Sequence, residues 1–413
     1  MPRRQRWTPV RGTRSRVYET RERLALGLID LPGRAVAAVA RGLGLARSAA
    51  RIDPGALREV LVLRLDRIGD VLMSLPALHD LRRALPRARI RLAVGQWSRD
   101  AARSAPVDDL VVWSAPWAGR PDEGADSLGE LWRKAGALSG LDLALDLQGD
   151  VRASILLWRT RAPLRVGYAN TGGAYLLTHV VPLDETVSWV EQNRRAVRCI
   201  AGDATGPPDL GALAAEARAE GERLLAALGL GSRRPLVGIH PGGGRRVKQW
   251  PTNRWSAVGA RLQRERGARI LITGSEADRP LAAAVASGFP EPPVDLTGRL
   301  SVGETMALVS VLDLFLSADT GPMHMACALR TPSVSLFGPS DPVRYFSGAD
   351  HDPALHRVVR AELWCSPCNL IRRPPVECAE ADPPECLGLV SVDAVHAAAE
   401  ALLREVPVRR NVT

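Results

Sequence analysis

From Glu59 onward, short apolar runs alternate with longer stretches in which apolar residues recur every three or four positions. Glu59–Leu65 (EVLVLRL), Arg89–Val94, Leu110–Trp113 and Leu141–Leu147 have the length and β-rich content of buried strands. Helical spacing fills the intervals up to about Leu85, over Ser127–Leu138 and over Val151–Thr160. A turn-rich break at 202–210 (GDATGPPDL) precedes an Ala/Leu/Glu helix that reaches Leu230. A second alternating series then begins, with strands at Leu236–His240, Arg269–Thr273, Leu314–Ser317 and Ser333–Phe337. Its helices include one over Thr252–Arg266 and one opened by the Ser301-x-x-Glu304 capping box.

Strands that alternate with helices build a parallel sheet covered on both faces. Two such series predict an α/β chain with two Rossmann-like domains facing across a cleft. The expected division is a basic extension at 1–58, a first domain at 59–230 and a second at 231–413. Ligands of open α/β sheets bind beyond the carboxyl ends of the strands, so the loops there are the first places to look for chemistry.

Three such loops stand out. Leu65-Asp66-Arg67-Ile68-Gly69-Asp70 follows the first strand and lacks a G-x-G-x-x-G, which counts against a dinucleotide oxidoreductase. Asp70 falls at a helix start, where a carboxylate caps free amides, yet it also lies at a strand's carboxyl end; Asp66 is the rival acid. His240-Pro241-Gly242-Gly243-Gly244-Arg245-Arg246-Val247-Lys248 combines three glycines with cations, as an anion nest requires, without the spacing of a Walker loop. Ser317-Ala318-Asp319-Thr320-Gly321-Pro322-Met323-His324 ends a strand and opens a helix, with Asp319 or Thr320 as the expected cap and amides to offer a phosphate. Glu276, in Thr273-Gly274-Ser275-Glu276, lies at a further strand end.

The segments RLDRIGDVLMSLPAL (64–78), DLQGDVRAS (146–154), HPGGGRRVKQWP (240–251), TGSEAD (273–278), SADTGPMHMACAL (317–329) and LFGPSDPVRY (336–345) resemble, in order, the motifs of glycosyltransferase family 9. That family includes the ADP-heptose lipopolysaccharide heptosyltransferases. The resemblance implies a GT-B fold, with a glycan or glycolipid acceptor on the first domain and a nucleotide-sugar donor, ADP-heptose or similar, on the second. It implies Asp70 as the catalytic base of an inverting transfer. It also implies donor contacts from Gly243, Gly244, Lys248, Glu276, Asp319, Thr320, Gly321 and His324, with no cofactor required. Some members carry hydroxyl residues before the lysine, where this chain has Gly242–Gly244, so phosphate contacts there would come from backbone amides. No Asp-x-Asp pair stands beside these loops to hold a catalytic metal. The alternative from another class is a non-catalytic nucleotide-sugar-binding protein of a membrane-associated assembly.

Composition refines this reading. The 413 residues carry a formal charge of +10, but residues 1–58 hold 13 Arg against four acidic residues, so nine of those charges sit in the extension. A nucleic-acid groove across the folded body is therefore not expected. The stretch Arg21–Arg51 mixes apolar residues with Arg at loosely helical spacing, which fits peripheral contact with an anionic membrane, a floppy leader or a helix packed on the body. No apolar run reaches membrane-spanning length, and Asp30 interrupts Leu24–Ile29, so a cytoplasmic location is expected, on or off the membrane's inner face. Only Lys134 and Lys248 are lysines among 55 basic residues, which marks Lys248 as a position where an arginine fork does not serve.

Cys365-x2-Cys368-x9-Cys378-x7-Cys386 places four of six cysteines in one proline-rich loop, 365–386. Structural zinc, reduced thiols and two disulfides are the alternatives for it. Cys199 and Cys327 fall in helical segments and are expected in the core.

Overall fold

The computed structural model describes residues 27–28, 30–36, 38–39, 51–118, 124–202, 206, 210–230, 235–346, 352–372 and 374–406. Most of the basic extension, 1–26 and 40–50, thus lies outside the described residues. The chain divides into two compact units, with the boundary between Asp209 and Leu210.

The first unit is a six-stranded parallel sheet in the order β3-β2-β1-β4-β5-β6. Its elements run β1 (Glu59–Arg64), α1 (Ile68–Ala84), β2 (Arg89–Val94), β3 (Asp109–Val112), α2 (Leu128–Ala137), β4 (Leu143–Asp146), α3 (Val151–Arg159), β5 (Leu164–Gly167), β6 (His179–Val180) and α4 (Trp189–Ala201). β1 is central, and Val60 to Leu63 are wholly buried, as expected of a strand covered on both faces. Leu61, Leu63, Ala144, Leu131, Leu156 and Leu157 form the core between this sheet and α2–α3. α2 opens with a capping box, Glu130 N–H to Ser127 Oγ at 3.2 Å and Ser127 N–H to Glu130 Oε2 at 2.7 Å. Between α1 and α4, Arg194 pairs with the fully buried Asp80 at 2.7 Å. Cys199, expected in the core, is exposed because the buried face of α4 passes through Val190, Asn193, Val197 and Ile200.

The second unit repeats the design: α5 (Gly211–Ala227), β7 (Leu236–His240), α6 (Thr252–Arg266), β8 (Arg269–Ile272), α7 (Arg279–Ala286), β9 (Val294–Asp295), α8 (Val302–Val311), β10 (Leu314–Ala318), α9 (Gly321–Ala328), β11 (Ser333–Phe337), α10 (Pro342–Tyr345), β12 (His356–Arg360), α11 (Val376–Glu380), α12 (Glu385–Gly388) and α13 (Val392–Glu405). The strand order is β12-β11-β10-β7-β8-β9, again all parallel. Val237, Ile239, Leu314, Leu316, Val334 and Leu336 face α6 and α13 from one side of the sheet, around the edge-on pair Trp250–Trp255 (centroids 4.9 Å).

The division differs from the expected boundary at Leu230. α5 belongs to the second unit because it lies against α8: a Cβ on Gly221 would run into Ala307 O, and Val311 would be 2.8 Å away. The glycine is what lets the two helix backbones approach. The turn-rich break at 202–210, and not the end of the helix, is where the units part.

Candidate functional site

Both sheets reverse strand order beside their first strand, between β1 and β4 and between β7 and β10. Such a switch point leaves a crevice beyond the strand ends.

In the first unit the crevice is acidic around one buried cation. Arg64 ends β1 and is 2% exposed. Its Nε donates to Asp70 O at 3.0 Å and its Nη1 donates to Leu147 O, tying the loop after β1 to the loop after β4. Asp66 Oδ1 lies 3.3 Å from Nε and Asp70 Oδ1 3.5 Å from Nη2. Burial opposes the guanidinium's charge, but the carboxylates of Asp66 and Asp70 outweigh it and hold its pKa above the usual range. Burial also pushes Asp66 up to about 7 against the pull of Arg64, with Asp70 adding repulsion. Asp146, at the end of β4, is fully buried and likewise pushed up to about 7, partly offset by the N–H groups of Gln148 (2.8 Å) and Gly149 (3.1 Å). Trp97 Nε1 and Ser98 Oγ donate to Asp66 O at 2.7 and 3.1 Å and fix the loop from below.

Asp70 occupies the third position of α1. Its Oδ2 accepts the Arg67 N–H at 3.3 Å, the cap expected of an acid at a helix start, while Oδ1 faces Arg64. The capping role and the position at the strand end therefore coexist in one side chain.

In the second unit the corresponding crevice holds a cation and an acid in direct contact. Lys248 Nζ lies 2.6 Å from Asp319 Oδ2, with side chains 16% and 6% exposed. Burial works to raise the Asp319 pKa, but Lys248 and then His324 outweigh it, holding the carboxyl below its usual range. Lys248 arrives on a single 3-10 turn, Arg246–Lys248, after the glycine loop. Gly244 has φ +63°, and a Cβ on Gly243 would sit 3.1 Å from Arg245 O and from the Lys248 carbonyl carbon, so the tight path suits glycine at both positions.

Gly321 and Pro322 open α9, as the sequence suggests, but neither expected cap forms. Thr320 is the N-cap residue and makes no side-chain capping bond, and its buried Oγ1 has no hydrogen-bond partner. Asp319 is engaged by Lys248 instead. His324 is buried one turn into α9. Glu276 is exposed beyond β8, where it pairs with Arg279 at 2.5 Å; Gly298, at φ +70°, leaves it room.

The register adds a polar row that the motifs did not single out. Ser317 lies beside His240 and Ser335 beside Ser317 across β7, β10 and β11, and His240 Nδ1 is 3.1 Å from Thr273 Oγ1. The buried hydroxyls of Ser317 and Ser335 have no hydrogen-bond partner. In the first unit Arg64, Asp146 and Tyr168 were likewise missed. Tyr168 is fully buried, its hydroxyl donates to Gln192 O at 2.7 Å, and burial raises its pKa. The usable signal was Arg64, a charge following four consecutive apolar residues in EVLVLRL, since a buried charge needs partners.

Cys365, Cys368, Cys378 and Cys386 line a single cavity with Val247, Leu370 and several prolines, and all four are free thiols, so the two-disulfide alternative is not adopted. Burial raises Cys378 and pushes Cys386 up to about 11, with the neighbouring thiols adding to both. Among the described residues no three of these sulfurs lie within 4.8 Å of one another.

Residues 131–374 match glycosyltransferase family 9 (heptosyltransferase). The chain is 26% identical to lipopolysaccharide heptosyltransferase 2 of Salmonella typhimurium over 304 residues, 69% of this chain and 84% of that protein. Among solved structures it is similar to a family 9 glycosyl transferase from Veillonella parvula (TM-score 0.70, 24% identity, 84% of this chain and 98% of that one). It is also similar to the E. coli ADP-heptose lps heptosyltransferase II (TM-score 0.66, 20% identity, 84% and 99%) and to an E. coli heptosyltransferase with ADP-2-deoxy-2-fluoro heptose (TM-score 0.59, 20% identity, 83% and 99%). These likenesses place the twin sheets in the GT-B class. The family match spans more than half of the chain, and the expected motifs sit at the two switch points, so the chain belongs to glycosyltransferase family 9 and is a glycosyltransferase.

Proposed function

We propose that the enzyme transfers a heptose from an ADP-activated donor to a hydroxyl of a lipopolysaccharide-core-type acceptor, with inversion at the anomeric carbon. The observation that carries the donor half is the Lys248–Asp319 contact of 2.6 Å beside the glycine loop and the start of α9. An ammonium has three N–H donors, and Asp319 engages one while orienting the group, which leaves two for diphosphate oxygens. The unpartnered Thr320 Oγ1 and the amides at the start of α9 supply neutral donors to the same anion. Glu276, exposed and one strand along, is assigned to the nucleoside. Gly243, Gly244 and Gly321 admit the donor close to the backbone, and buried His324 supports Asp319 electrostatically.

In the first unit Asp70 is the base. The acceptor hydroxyl gives its proton to the Asp70 carboxylate as its oxygen bonds to the anomeric carbon. The bond from that carbon to the phosphate oxygen breaks, and ADP leaves with the electron pair. Lys248 and the helix amides meet the charge that grows on the leaving group. Arg64 positions both Asp66 and Asp70, and Asp66 is the competing base because its raised pKa suits proton transfer near neutrality.

The cysteine loop supports a separate, structural proposal. Four thiols around one cavity form a donor set suited to a thiolate-bound metal such as zinc, and binding would draw the sulfurs together and release the raised protons of Cys378 and Cys386. Elemental analysis of the protein and of a Cys365→Ser/Cys368→Ser variant tests it. One equivalent of metal lost in the variant is expected, and a metal-free wild type overturns it.

The transfer itself is tested by incubating the protein with ADP-heptose and a heptose-deficient lipopolysaccharide. Equimolar ADP and heptosylated product of inverted configuration are expected, by mass and proton NMR. Donor binding without transfer would favour the non-catalytic alternative, and turnover of another nucleotide sugar in preference would overturn the choice of donor.

A further inference from the structure

We infer that the helical residues 27–28, 30–36 and 38–39 form an interfacial anchor that seats the first unit on an anionic lipid surface. The backbone is helical at 27–28, 30–36 and 38–39, and the helix is docked by its polar and small side. Asp30 is fully buried: its Oδ1 accepts the Gly173 N–H at 2.9 Å and its Oδ2 pairs with Arg34 at 2.7 Å. Gly33 lies directly against the Tyr175 ring, where a Cβ would overlap it.

A surface helix normally turns its apolar stripe inward. Here the stripe faces out: Leu28, Leu31, Val36 and Val39 are 74%, 65%, 69% and 61% exposed. At 3.6 residues per turn Leu31 and Val36 bound about 140° of arc on 30–36, on the side away from Asp30 and Gly33. The inversion follows from the anchor points, because Asp30 reaches Gly173 and Gly33 meets Tyr175 only in this orientation. α3 adds to the same neighbourhood. Ser154 faces Gly173, and one turn further Trp158 is half exposed beside the exposed Trp132, whose ring carries Arg159 at 5.0 Å. Exposed tryptophan beside arginine suits a membrane interface, where an apolar body meets hydrated headgroups.

Charge selects the occupant. Residues 1–58 carry 13 Arg against four acidic residues, leaving a net of one positive charge on all the rest. A second copy would bring like charge to the stripe, whereas anionic headgroups bring the opposite charge to its flanks and acyl chains to its apolar face. Among the described residues no helix is long and apolar enough to cross a membrane, so the stripe would lie in the interface plane.

The test uses the full chain and a variant with Leu28→Ser, Leu31→Ser, Val36→Ser and Val39→Ser, sedimented with phosphatidylglycerol/phosphatidylethanolamine vesicles and with phosphatidylcholine vesicles. Wild type is expected to partition to the anionic vesicles, weakly to the neutral ones, and to retain part of its binding in high salt. The variant should bind anionic vesicles at least about tenfold less while its melting temperature and its turnover of a water-soluble acceptor fragment stay unchanged. Equal sedimentation of the two proteins, or no sedimentation of wild type, overturns the proposal. So does a lipid-free wild-type dimer that the variant converts to monomer, which would give the stripe to a second copy. Vesicle binding needs neither donor nor acceptor, so this result stands apart from the transfer assay.

Discussion

The orders β3-β2-β1-β4-β5-β6 and β12-β11-β10-β7-β8-β9 describe one topology twice, yet the two crevices they open carry opposite chemistry. At the first, three carboxylates, Asp66, Asp70 and Asp146, gather around the single buried cation Arg64. At the second, a glycine loop delivers one ammonium, Lys248, onto one carboxylate, Asp319, beside an uncapped helix start. The first is short of positive charge and suited to taking up a proton. The second is short of hydrogen-bond acceptors and suited to receiving an anion. A repeated fold thus supplies two similar frames, and a few side chains at strand ends decide what each frame binds.

The contrast predicts different responses to loss of the central cation. Arg64→Met leaves the buried Asp146 and the part-buried Asp66 and Asp70 without their cation and should destabilise the protein by about 3–5 kcal/mol at neutral pH. No single neutralisation should repair it. Lys248→Ala strands one acid only, so it should cost about 3 kcal/mol, and adding Asp319→Asn should recover most of that. Denaturant unfolding of the four variants measures both; rescue of Arg64→Met by Asp70→Asn alone would break the distinction.

Packing between helices in the second unit gives a smaller effect. Gly221→Ala should destabilise by about 1–3 kcal/mol, because the added methyl meets Ala307 O on α8. An unchanged melting temperature would return α5 to the first unit.

The raised acids give a pH signature confined to the first crevice. Asp66 and Asp146 titrate near 7 against an ordinary value of 3.8. Between those values the folded protein holds protons that the unfolded chain releases. Their stabilising contribution is therefore greatest toward the acid end and is lost as pH rises to about 7. The denaturant midpoint should fall between mildly acidic and mildly alkaline pH, and Asp146→Asn should flatten that slope. The smallest effect is at the second crevice: Thr320→Val should change stability by less than about 0.5 kcal/mol yet weaken ADP binding by about tenfold, since it deletes a donor already unpartnered without ligand.

Much of this arrangement was legible in the sequence. Strand runs such as EVLVLRL and LVGIH, and the Ser301-x-x-Glu304 box (3.2 and 2.8 Å), appear as read because their signals are local. The glycine loop, Lys248 and the Asp319 segment were legible because motif order survives in one chain. What escaped were consequences of pairing between distant segments. Asp319 meets Lys248 instead of capping α9, Ser317 and Ser335 align only through strand register, and Asp146 joins Arg64 only when β4 lies beside β1. Nothing local marks Gly221 either: its need for glycine comes from α8 lying against it. Asp30 read only as an interruption of the apolar run Leu24–Ile29, and its docking on Gly173, with Gly33 against Tyr175, is what turns the apolar side outward.

The division of labour between the crevices is tested most directly by measuring single-turnover heptosyl transfer and ADP affinity together in Asp70→Asn and Asp66→Asn. Asp70→Asn is expected to lower the transfer rate by about 10²–10⁴ with ADP affinity unchanged, while Asp66→Asn retains most of the rate. Near-normal transfer by Asp70→Asn, or the large loss appearing in Asp66→Asn instead, would contradict it.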